Sequence, residues 1–445
     1  FGLGHLAHNQ HCGVLQCLAM APYEAVVVVD PLSTGSSMAM EAAIRGCAVI
    51  ALWDRDLPQD VRSHVPSSRR FFHYHAEVTE VETIQETAAA VSTAAGNLHI
   101  IACIVGAEPG VALADALSEE LGLRTNGCST ARRNKWHQQE CVRKAGLRAV
   151  RQACGTQWSD VQAFVEAEPM PIIVKPVGGA GSDGVKLCSS RQEASAHFHF
   201  LVNQPPLLGG EDHTVLCQEF LHGPEYVVDQ VSRDGEHKTM MVWLYDKRPA
   251  NGAPFVEFGM VPVDATSTAA RKVIKYARGV LDALGICNGP SHGEVIMTPT
   301  GPCLVEMNCR AHGGDGAWLP LARALTGGYS QVDATLDAFL DEEAFQRLPK
   351  VPPSPLKASG QNVELVSIKE GRVKATPGYE RIRGMESFVS LEQAYEVGSF
   401  VRRTIDILSQ AGSVILVHED AEVLQRDYDE IRRMEANGTL FEFEI

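Results

Sequence analysis

Charged and apolar residues alternate in HGEVIMTPTGPCLVEMNCR, the segment from residue 292 to residue 310. Its Pro-Thr-Gly turn predicts two paired strands, along each of which alternate side chains share a face. The side chains on the polar face are His292, Glu294, Glu306, Asn308 and Arg310. Two carboxylates and an amide oxygen suit Mg²⁺, so we expect the metal ligands to be Glu294, Glu306 and Asn308. Arg310, one step further along, can bind a phosphoryl group or a carboxylate through two hydrogen bonds.

A solvent-facing sheet is the structural alternative for this segment, with Glu306 and Arg310 paired on the surface. The flanking composition weakens that alternative, because the residues between the polar positions are apolar. These residues are Val305, Met307 and Cys309. His292 is a candidate acid or base because it lies close to Glu294, although a histidine on a sheet face is more often a hydrogen-bonded bystander.

A glycine-rich hairpin is predicted in IIVKPVGGAGSDGVKL, residues 172–187. A loop with little side-chain bulk can fold its amide groups over a polyphosphate, and Lys175 on the preceding strand would add positive charge. The loop residues expected at the nucleotide are Gly179, Gly181 and Ser182. The segment is neither a Walker loop nor a Rossmann fingerprint. A flexible hairpin with a solvated lysine is the structural alternative.

A third pattern, VLCQEFLHGPEYVVD at residues 215–229, reads as a strand, a Gly-Pro break and another strand. The first strand could present backbone groups and Gln218 to an adenine edge, while Leu221 packs on the ring. Glu225 could accept hydrogen bonds from ribose hydroxyls. The pattern alone is weak, because Glu219 and Glu225 could equally solubilise a two-stranded ribbon.

The elements that must position these residues fall into an α/β part followed by α+β parts. Residues 26–53 read as strand, turn, helix and strand, and a strand at 100–105 precedes a helix that begins near Pro109. This predicts an N-terminal doubly wound sheet. From Ser129 onward the mixture of strands and helices predicts an α+β arrangement. The prolines of VPPSPLKASG at 351–360 mark a linker, beyond which we expect a small α+β cap.

In order and spacing, these segments resemble the ATP-grasp superfamily. In that family the nucleotide lies between two α+β subdomains, so the resemblance implies an ATP-grasp fold with an N-terminal doubly wound domain. The predicted domains are residues 1–125, 126–230, 231–350 and 351–445. The nucleotide contacts implied by the resemblance are Lys135 and Lys175 for the phosphates, Gln218, Glu219 and Leu221 for adenine, and Glu225 for ribose. At Gln218 the family often has a glutamate.

Within the superfamily the chain looks most like the L-amino-acid ligases. The resemblance implies that Glu108 binds the ammonium of an amino-acid substrate and that Gly313 and Gly314 lie beside an acyl-phosphate. Arg310 is expected on the opposite side of the acceptor pocket from Glu108. The implied activity is an ADP-forming ligase that uses ATP and Mg²⁺, with Mn²⁺ possible, to activate a carboxylate as an acyl-phosphate and couple it to an amine.

Composition narrows the partners of this 445-residue chain, which is 45% hydrophobic and 21% charged. A formal net charge of −16 argues against nucleic-acid binding, which needs a basic face. The apolar runs are too short for a membrane helix, so we expect no membrane partner. The 12 cysteines show no metal or CxxC spacing, which favours free thiols and a cytoplasmic location. Small-molecule substrates are the expected partners, and a homodimer is a possible assembly.

Three other functions compete with amino-acid ligation. Another ATP-grasp activity, of the carboxylase or purine-pathway type, is the first, although the biotinyl Met-Lys-Met motif of a biotin carboxylase partner does not occur here. A non-catalytic nucleotide-binding protein is the second, and the intact set Glu294, Glu306 and Asn308 speaks against it. An NAD-dependent enzyme is the third, but DPLSTGSS has one glycine where the dinucleotide fingerprint needs three.

Overall fold

The computed structural model describes residues 23–63, 69, 71–178, 184–204 and 213–444. Three residues expected at the nucleotide, Gly179, Gly181 and Ser182, therefore lie outside the described part of the chain. The described elements form four sheets, with helices packed on them. Within the described residues, no helix is both long and apolar enough to span a bilayer.

The N-terminal unit is a four-stranded parallel sheet with strand order β3-β2-β1-β4. Its central strand consists mainly of valines that are fully buried, as expected for a parallel strand covered by helices on both faces. The elements are β1 (Glu24–Val29), α1 (Thr34–Ile44), β2 (Ala48–Trp53), α2 (Gln59–Arg62), β3 (Ala76–Thr79), α3 (Ile84–Ala95), β4 (His99–Val105) and α4 (Val111–Glu120). The predicted doubly wound sheet is confirmed.

The second unit is a four-stranded antiparallel sheet with strand order β5-β8-β6-β7. It is preceded by a helix whose N-cap, Asn134, accepts a hydrogen bond from the backbone N–H of His137. This cap places Lys135 in the first turn. The elements are α5 (Lys135–Lys144), β5 (Gln152–Gly155), α6 (Trp158–Ala167), β6 (Ile172–Pro176), β7 (Lys186–Cys188), α7 (Arg191–Val202) and β8 (Val215–Glu219).

The third unit is built on an eight-stranded sheet with strand order β13-β12-β9-β10-β11-β14-β18-β16. Its strands and helices are β9 (Glu225–Arg233), β10 (Glu236–Ala250), β11 (Ala253–Pro262), α8 (Thr268–Leu284), β12 (Gly289–Thr298), β13 (Gly301–Asn308), α9 (Leu319–Thr326), α10 (Gln331–Leu340), α11 (Glu342–Arg347) and β14 (Ser359–Leu365). The chain continues through β15 (Gly371–Ala375), α12 (Pro377–Arg383), β16 (Phe388–Gln393), β17 (Phe400–Val401), β18 (Gly412–His418), α13 (Ala421–Asn437) and β19 (Glu442–Phe443). Strands β15, β17 and β19 form a small sheet of their own.

The large sheet continues across the predicted linker at 351–360. Strand β14 pairs with β11 on one side and β18 on the other, so strands from both sides of the linker share one sheet. The mixed α/β and α+β fold class is confirmed. The four domain boundaries stay predictions.

Candidate active site

The hairpin of β12 and β13 brings the predicted metal ligands together. Its register pairs Glu294 with Glu306, and His292 with Asn308. Directly opposite residues of an antiparallel pair share a face, so these side chains converge on one surface of the sheet. The Asn308 amide donates to Glu306 Oε1 at 3.2 Å. Two carboxylates and an amide oxygen therefore stand together. Alternation groups the polar side chains along each strand, and a register shift between Glu294 and Val295 brings the two groups onto the same face.

Two lysines from other elements face these carboxylates. Lys135, in the first turn of α5, places Nζ 2.9 Å from Glu306 Oε2. Burial alone would lower the pKa of Lys135, but Glu306 raises it above its usual value. Lys175 on β6 is only 5% exposed. Burial, with the nearby charge of Lys135, lowers its pKa to about 8. The site thus combines acids from the large sheet with cations from α5 and from the glycine-rich hairpin.

Glu225 at the start of β9 belongs to the same face. Its Oε1 lies 2.7 Å from Nζ of Lys247, and burial raises the pKa of this carboxyl. Lys247 stands opposite Glu257 in the β10 and β11 pairing, and burial raises the pKa of Glu257 to about 7. Sequence reasoning missed Lys247 and Glu257, because a Lys-Arg pair close to an Asn-Gly turn is typical of an exposed hairpin end.

His292 is buried beneath the acidic pair. Its Nδ1 donates to Asp229 Oδ1 at 2.9 Å, and its Nε2 lies 3.4 Å from Glu294 Oε1. Burial alone would lower the pKa of His292, but the hydrogen bonds to Asp229 and Glu294 raise it to about 9. In turn, burial would raise the pKa of Glu294, and the hydrogen bond from His292 instead lowers it to about 2. The imidazolium therefore holds Glu294 in its charged form.

Asp229 and His312 complete this buried cluster. Asp229 Oδ2 accepts from His312 Nδ1 at 2.9 Å and from Trp243 Nε1 at 2.7 Å. Burial opposes ionisation of Asp229, but the charge of His312 and the two imidazole hydrogen bonds hold its pKa well below the usual range. Sequence reasoning missed both residues, since the two imidazoles reach Asp229 across 63 and 83 positions of the chain.

Glu108 and Arg310 lie side by side. Arg310 Nε is 3.3 Å from Glu108 Oε2, and Arg133 Nε is 3.7 Å from Glu108 Oε1. The prediction that Glu108 and Arg310 occupy opposite sides of a pocket is wrong, because the loop after β4 and the end of β13 meet at this point. Burial raises the pKa of Glu108. Gly110 caps α4, so Glu108 precedes the helix and does not lie in its first turn.

The loop that contains Gly313 and Gly314 is held by the turn between β1 and α1. The hydroxyl of Thr34 donates to the His312 carbonyl at 2.5 Å and to the Gly313 carbonyl at 3.0 Å. The backbone N–H of Asp315 donates to Ser33 Oγ at 2.9 Å. Gly314 has a φ of +66°, which glycine adopts without strain. The N-terminal unit therefore fixes the loop beside the acidic face.

The predicted adenine segment is more constrained than the sequence suggests. The Gln218 amide donates to Gln152 Oε1 at 2.9 Å. The Glu219 carboxylate is paired with Arg148 and Arg151, each at 2.8 Å. Leu221 is buried. The side chains of Gln218 and Glu219 are therefore already paired within the protein, and Leu221 packs with Val150 and Cys303. Contact of these residues with adenine stays a prediction.

Comparisons with known proteins bear on the domain family and the fold. The ATP-grasp domain family matches residues 168–317. Dapdiamide A synthase of Enterobacter agglomerans is 29% identical over 343 residues, which cover 76% of this chain and 80% of that protein. Alanine–anticapsin ligase of Bacillus subtilis is 25% identical over 295 residues, 61% of each chain. The crystal structure of an L-amino acid ligase from Bacillus licheniformis superposes with a TM-score of 0.72 at 17% identity, covering 96% of this chain and all of that one. The chain therefore contains an ATP-grasp domain and has the overall fold of the ATP-grasp ligases.

Proposed function

We propose that this ATP-grasp ligase joins the carboxylate of one amino acid to the amine of another and releases ADP and phosphate. The observation that carries the proposal is the convergence of Lys135 and Lys175 on the paired carboxylates Glu294 and Glu306. Lysines opposite carboxylates can bind a polyphosphate and its metal ion together. The relatives support the substrate class, because they are named as ligases of alanine or of amino acids.

The fit of a divalent ion follows from the chemistry of the donor set. Glu294, Glu306 and Asn308 offer oxygen atoms on one face, and Lys135 balances the charge of Glu306 there. Bound Mg²⁺ or Mn²⁺ would neutralise charge on the β- and γ-phosphates of ATP. Lys135 and Lys175 would contact phosphate oxygens, and Glu225 would accept from the ribose hydroxyls.

The residues of the chain supply positioning and charge. The donor carboxylate attacks the γ-phosphorus of ATP, the bond to ADP breaks, and an acyl-phosphate forms. The amine of the second substrate attacks the acyl carbon, loses a proton, and phosphate leaves. Arg310 and the amide groups of Gly313 and Gly314 would stabilise the oxyanion that develops during this transfer. Glu108 Oε2 is buried and lies 3.3 Å from Arg310 Nε, but it makes no hydrogen bond within the described residues, so it can accept one from the donor ammonium.

The test is ADP release measured over a panel of amino acids, singly and in pairs, with the amide product identified by mass spectrometry. We expect particular pairs to stimulate ADP release, with one amide formed for each ADP. Release that is stimulated by bicarbonate, or by a single substrate without any amide product, would instead place the chain among ATP-grasp enzymes of another type.

The metal assignment has its own test. Glu306→Gln should abolish ADP formation while the melting temperature stays close to that of the wild type, because one carboxylate of the metal pair is lost. Glu419→Gln, on an exposed turn, is the matched control and should be fully active. Turnover of Glu306→Gln near the wild-type rate would contradict the assignment.

A further inference from the structure

Asp229 joins two parts of the candidate site that are distant in sequence. Its Oδ1 accepts from His292 and its Oδ2 from His312, both at 2.9 Å, while Trp243 also donates to Oδ2. Asp229 is 1% exposed. A buried carboxylate with three N–H donors has one orientation, and it keeps a proton on Nδ1 of both imidazoles.

Each histidine connects Asp229 to a different part of the candidate active site. His292 presents Nε2 to Glu294 Oε1 and to the Tyr245 hydroxyl, each at 3.4 Å. His312 precedes the Gly313 and Gly314 loop directly, and its backbone N–H donates to Gln331 Oε1 at 2.8 Å. Asp229 is thus linked through His292 to the metal-binding carboxylate Glu294, and through His312 to the loop beside the acyl-phosphate.

A metal ion is the competing occupant of this cluster. The ligand atoms of Asp229, His292 and His312 lie within 4.8 Å of one another. However, the two imidazoles address different oxygens of Asp229, and one of those oxygens also accepts from Trp243. Donors directed at separate acceptor atoms are arranged for hydrogen bonding and not for convergence on one ion.

We propose that Asp229 is a positioning residue that keeps the metal-binding carboxylates and the acyl-phosphate loop in register. The proposal rests on the amide-forming function proposed above. If the register is lost, the acyl-phosphate still forms but is more often attacked by water, which yields the free carboxylate and phosphate. The ratio of ADP to amide then rises above one.

The first arm of the test compares variants at His312 and Asp229. His312→Asn keeps an N–H donor near the position of Nδ1, whereas His312→Leu removes it. We expect His312→Leu and Asp229→Asn to lower kcat for amide formation about 10- to 100-fold, the usual effect of removing a residue that orients a ligand. The ADP-to-amide ratio should rise in both variants, KM for ATP should change little in His312→Leu, and His312→Asn should restore coupling.

A matched control separates positioning from stability. Asp427 is also a buried carboxylate, and it accepts from the backbone N–H and the hydroxyl of Ser387 at 2.9 and 2.8 Å. Asp427→Asn should lower the melting temperature and leave one amide formed per ADP. If Asp229→Asn does not fold, the two His312 variants carry the comparison.

The second arm needs no turnover. In ¹⁵N-histidine-labelled protein without nucleotide, two slowly exchanging imidazole Nδ1–H signals are expected, and His312→Leu should remove one. Mn²⁺ binding, followed by electron paramagnetic resonance with ADP present, should weaken about 10-fold in Asp229→Asn. Wild-type Mn²⁺ affinity and an ADP-to-amide ratio of one in both variants would overturn the proposal, as would a metal ion in the purified protein that Asp229→Asn releases. Absence of any amide product from the wild type contradicts the proposed function instead, and the spectroscopic arm still tests Asp229.

Discussion

Lys175 combines a buried position with a positive charge, and that combination makes its protonation state sensitive to pH. The nearby carboxylates Glu306, Glu294 and Glu225 favour the charged form, but burial and the charge of Lys135 outweigh them and the pKa falls to about 8. A polyphosphate beside it would restore the proton. Nucleotide binding and protonation of Lys175 should therefore be linked.

Lys175→Ala should weaken ATP binding by roughly 1.5–3 kcal/mol, the scale of a hydrogen bond to a charged group. In the wild type, ATP affinity should fall as the pH rises through about 8, because the free enzyme loses the proton of Lys175 there. Lys175→Arg should remove this fall, since a guanidinium stays charged. Isothermal titration calorimetry across the pH range measures both effects. Lys186→Ala, on the exposed side of the same hairpin, is the control, and an unchanged affinity in Lys175→Ala would exclude the phosphate contact.

Glu108 has two possible uses, as the ligand of a substrate ammonium and as the partner of Arg310. Glu108→Ala should raise KM for the donor amino acid, by a factor equivalent to a binding free energy on the order of 2–4 kcal/mol, with little effect on KM for ATP. Arg310→Ala should lower kcat more than it raises either KM, since its charge is needed as the oxyanion develops.

Because the two side chains are 3.3 Å apart, the double variant separates these uses. If the loss in the double variant equals the sum of the losses in the two single variants, each residue acts on the substrate independently. A double variant no worse than Arg310→Ala would show that Glu108 acts by holding Arg310. Melting temperatures measured alongside identify any loss that is only one of stability.

Sequence alternation predicts an element well when the partner strand is next in the chain. The β12 and β13 hairpin is only partly of this kind. Alternation groups the polar side chains along each strand, but a register shift between Glu294 and Val295 sets Glu306, and not Val305, opposite Glu294. The position of Lys247 depends on another irregularity, because the pairing of β10 with β11 shifts register between Asp246 and Lys247. No sequence pattern predicts that shift. Asp229 and His312 lie still further apart in sequence, so their contact depends on the packing of the whole sheet.

The turn between β8 and β9 illustrates an element held by close backbone approach. Gly223 has a φ of +148°, and a Cβ there would stand 2.1 Å from the carbonyl oxygen of Met297. Gly223→Ala should therefore lower the melting temperature and raise KM for ATP, because the turn must move away from β12 and carries the adenine segment with it.

Gly252→Ala provides the control for backbone conformation. Gly252 also has a positive φ, +86°, but nothing lies within 4 Å of its Cβ position. Gly252→Ala should lower the free energy of unfolding by about 1–2 kcal/mol, because of the backbone conformation alone, and should leave KM for ATP unchanged. Equal losses of stability in the two variants, with no change in KM, would show that the contact with Met297 does not position the segment.

At the scale of the molecule, the N-terminal unit is bound to the large sheet by a shared core. Met38 on α1 and Val28 on β1 belong to the same buried cluster as Trp318 and Leu336. An ion pair lies beside this cluster, with Arg45, directly after α1, 2.6 Å from Asp337 of α10. The apolar pattern of each element predicts that the element is buried. The pattern does not predict which other elements it packs against, because these contacts depend on how the sheets are arranged in the folded molecule.

Thr34 connects the N-terminal unit to the candidate active site, because its hydroxyl donates to the carbonyls of His312 and Gly313. Thr34→Val keeps the shape and removes the donor, so a buried carbonyl loses its partner at a cost of about 1–3 kcal/mol. We expect a lower melting temperature and, because the loop loosens, more ADP formed per amide.

Thr93→Val is the matched control, because the hydroxyl of Thr93 also donates to a carbonyl, that of Ala89 at 2.8 Å, but on an exposed helix face where water can replace it. Calorimetry and product analysis on both variants test the link between the two units. If Thr34→Val loses stability and still forms one amide per ADP, the N-terminal unit supports the fold of the loop without governing the transfer step.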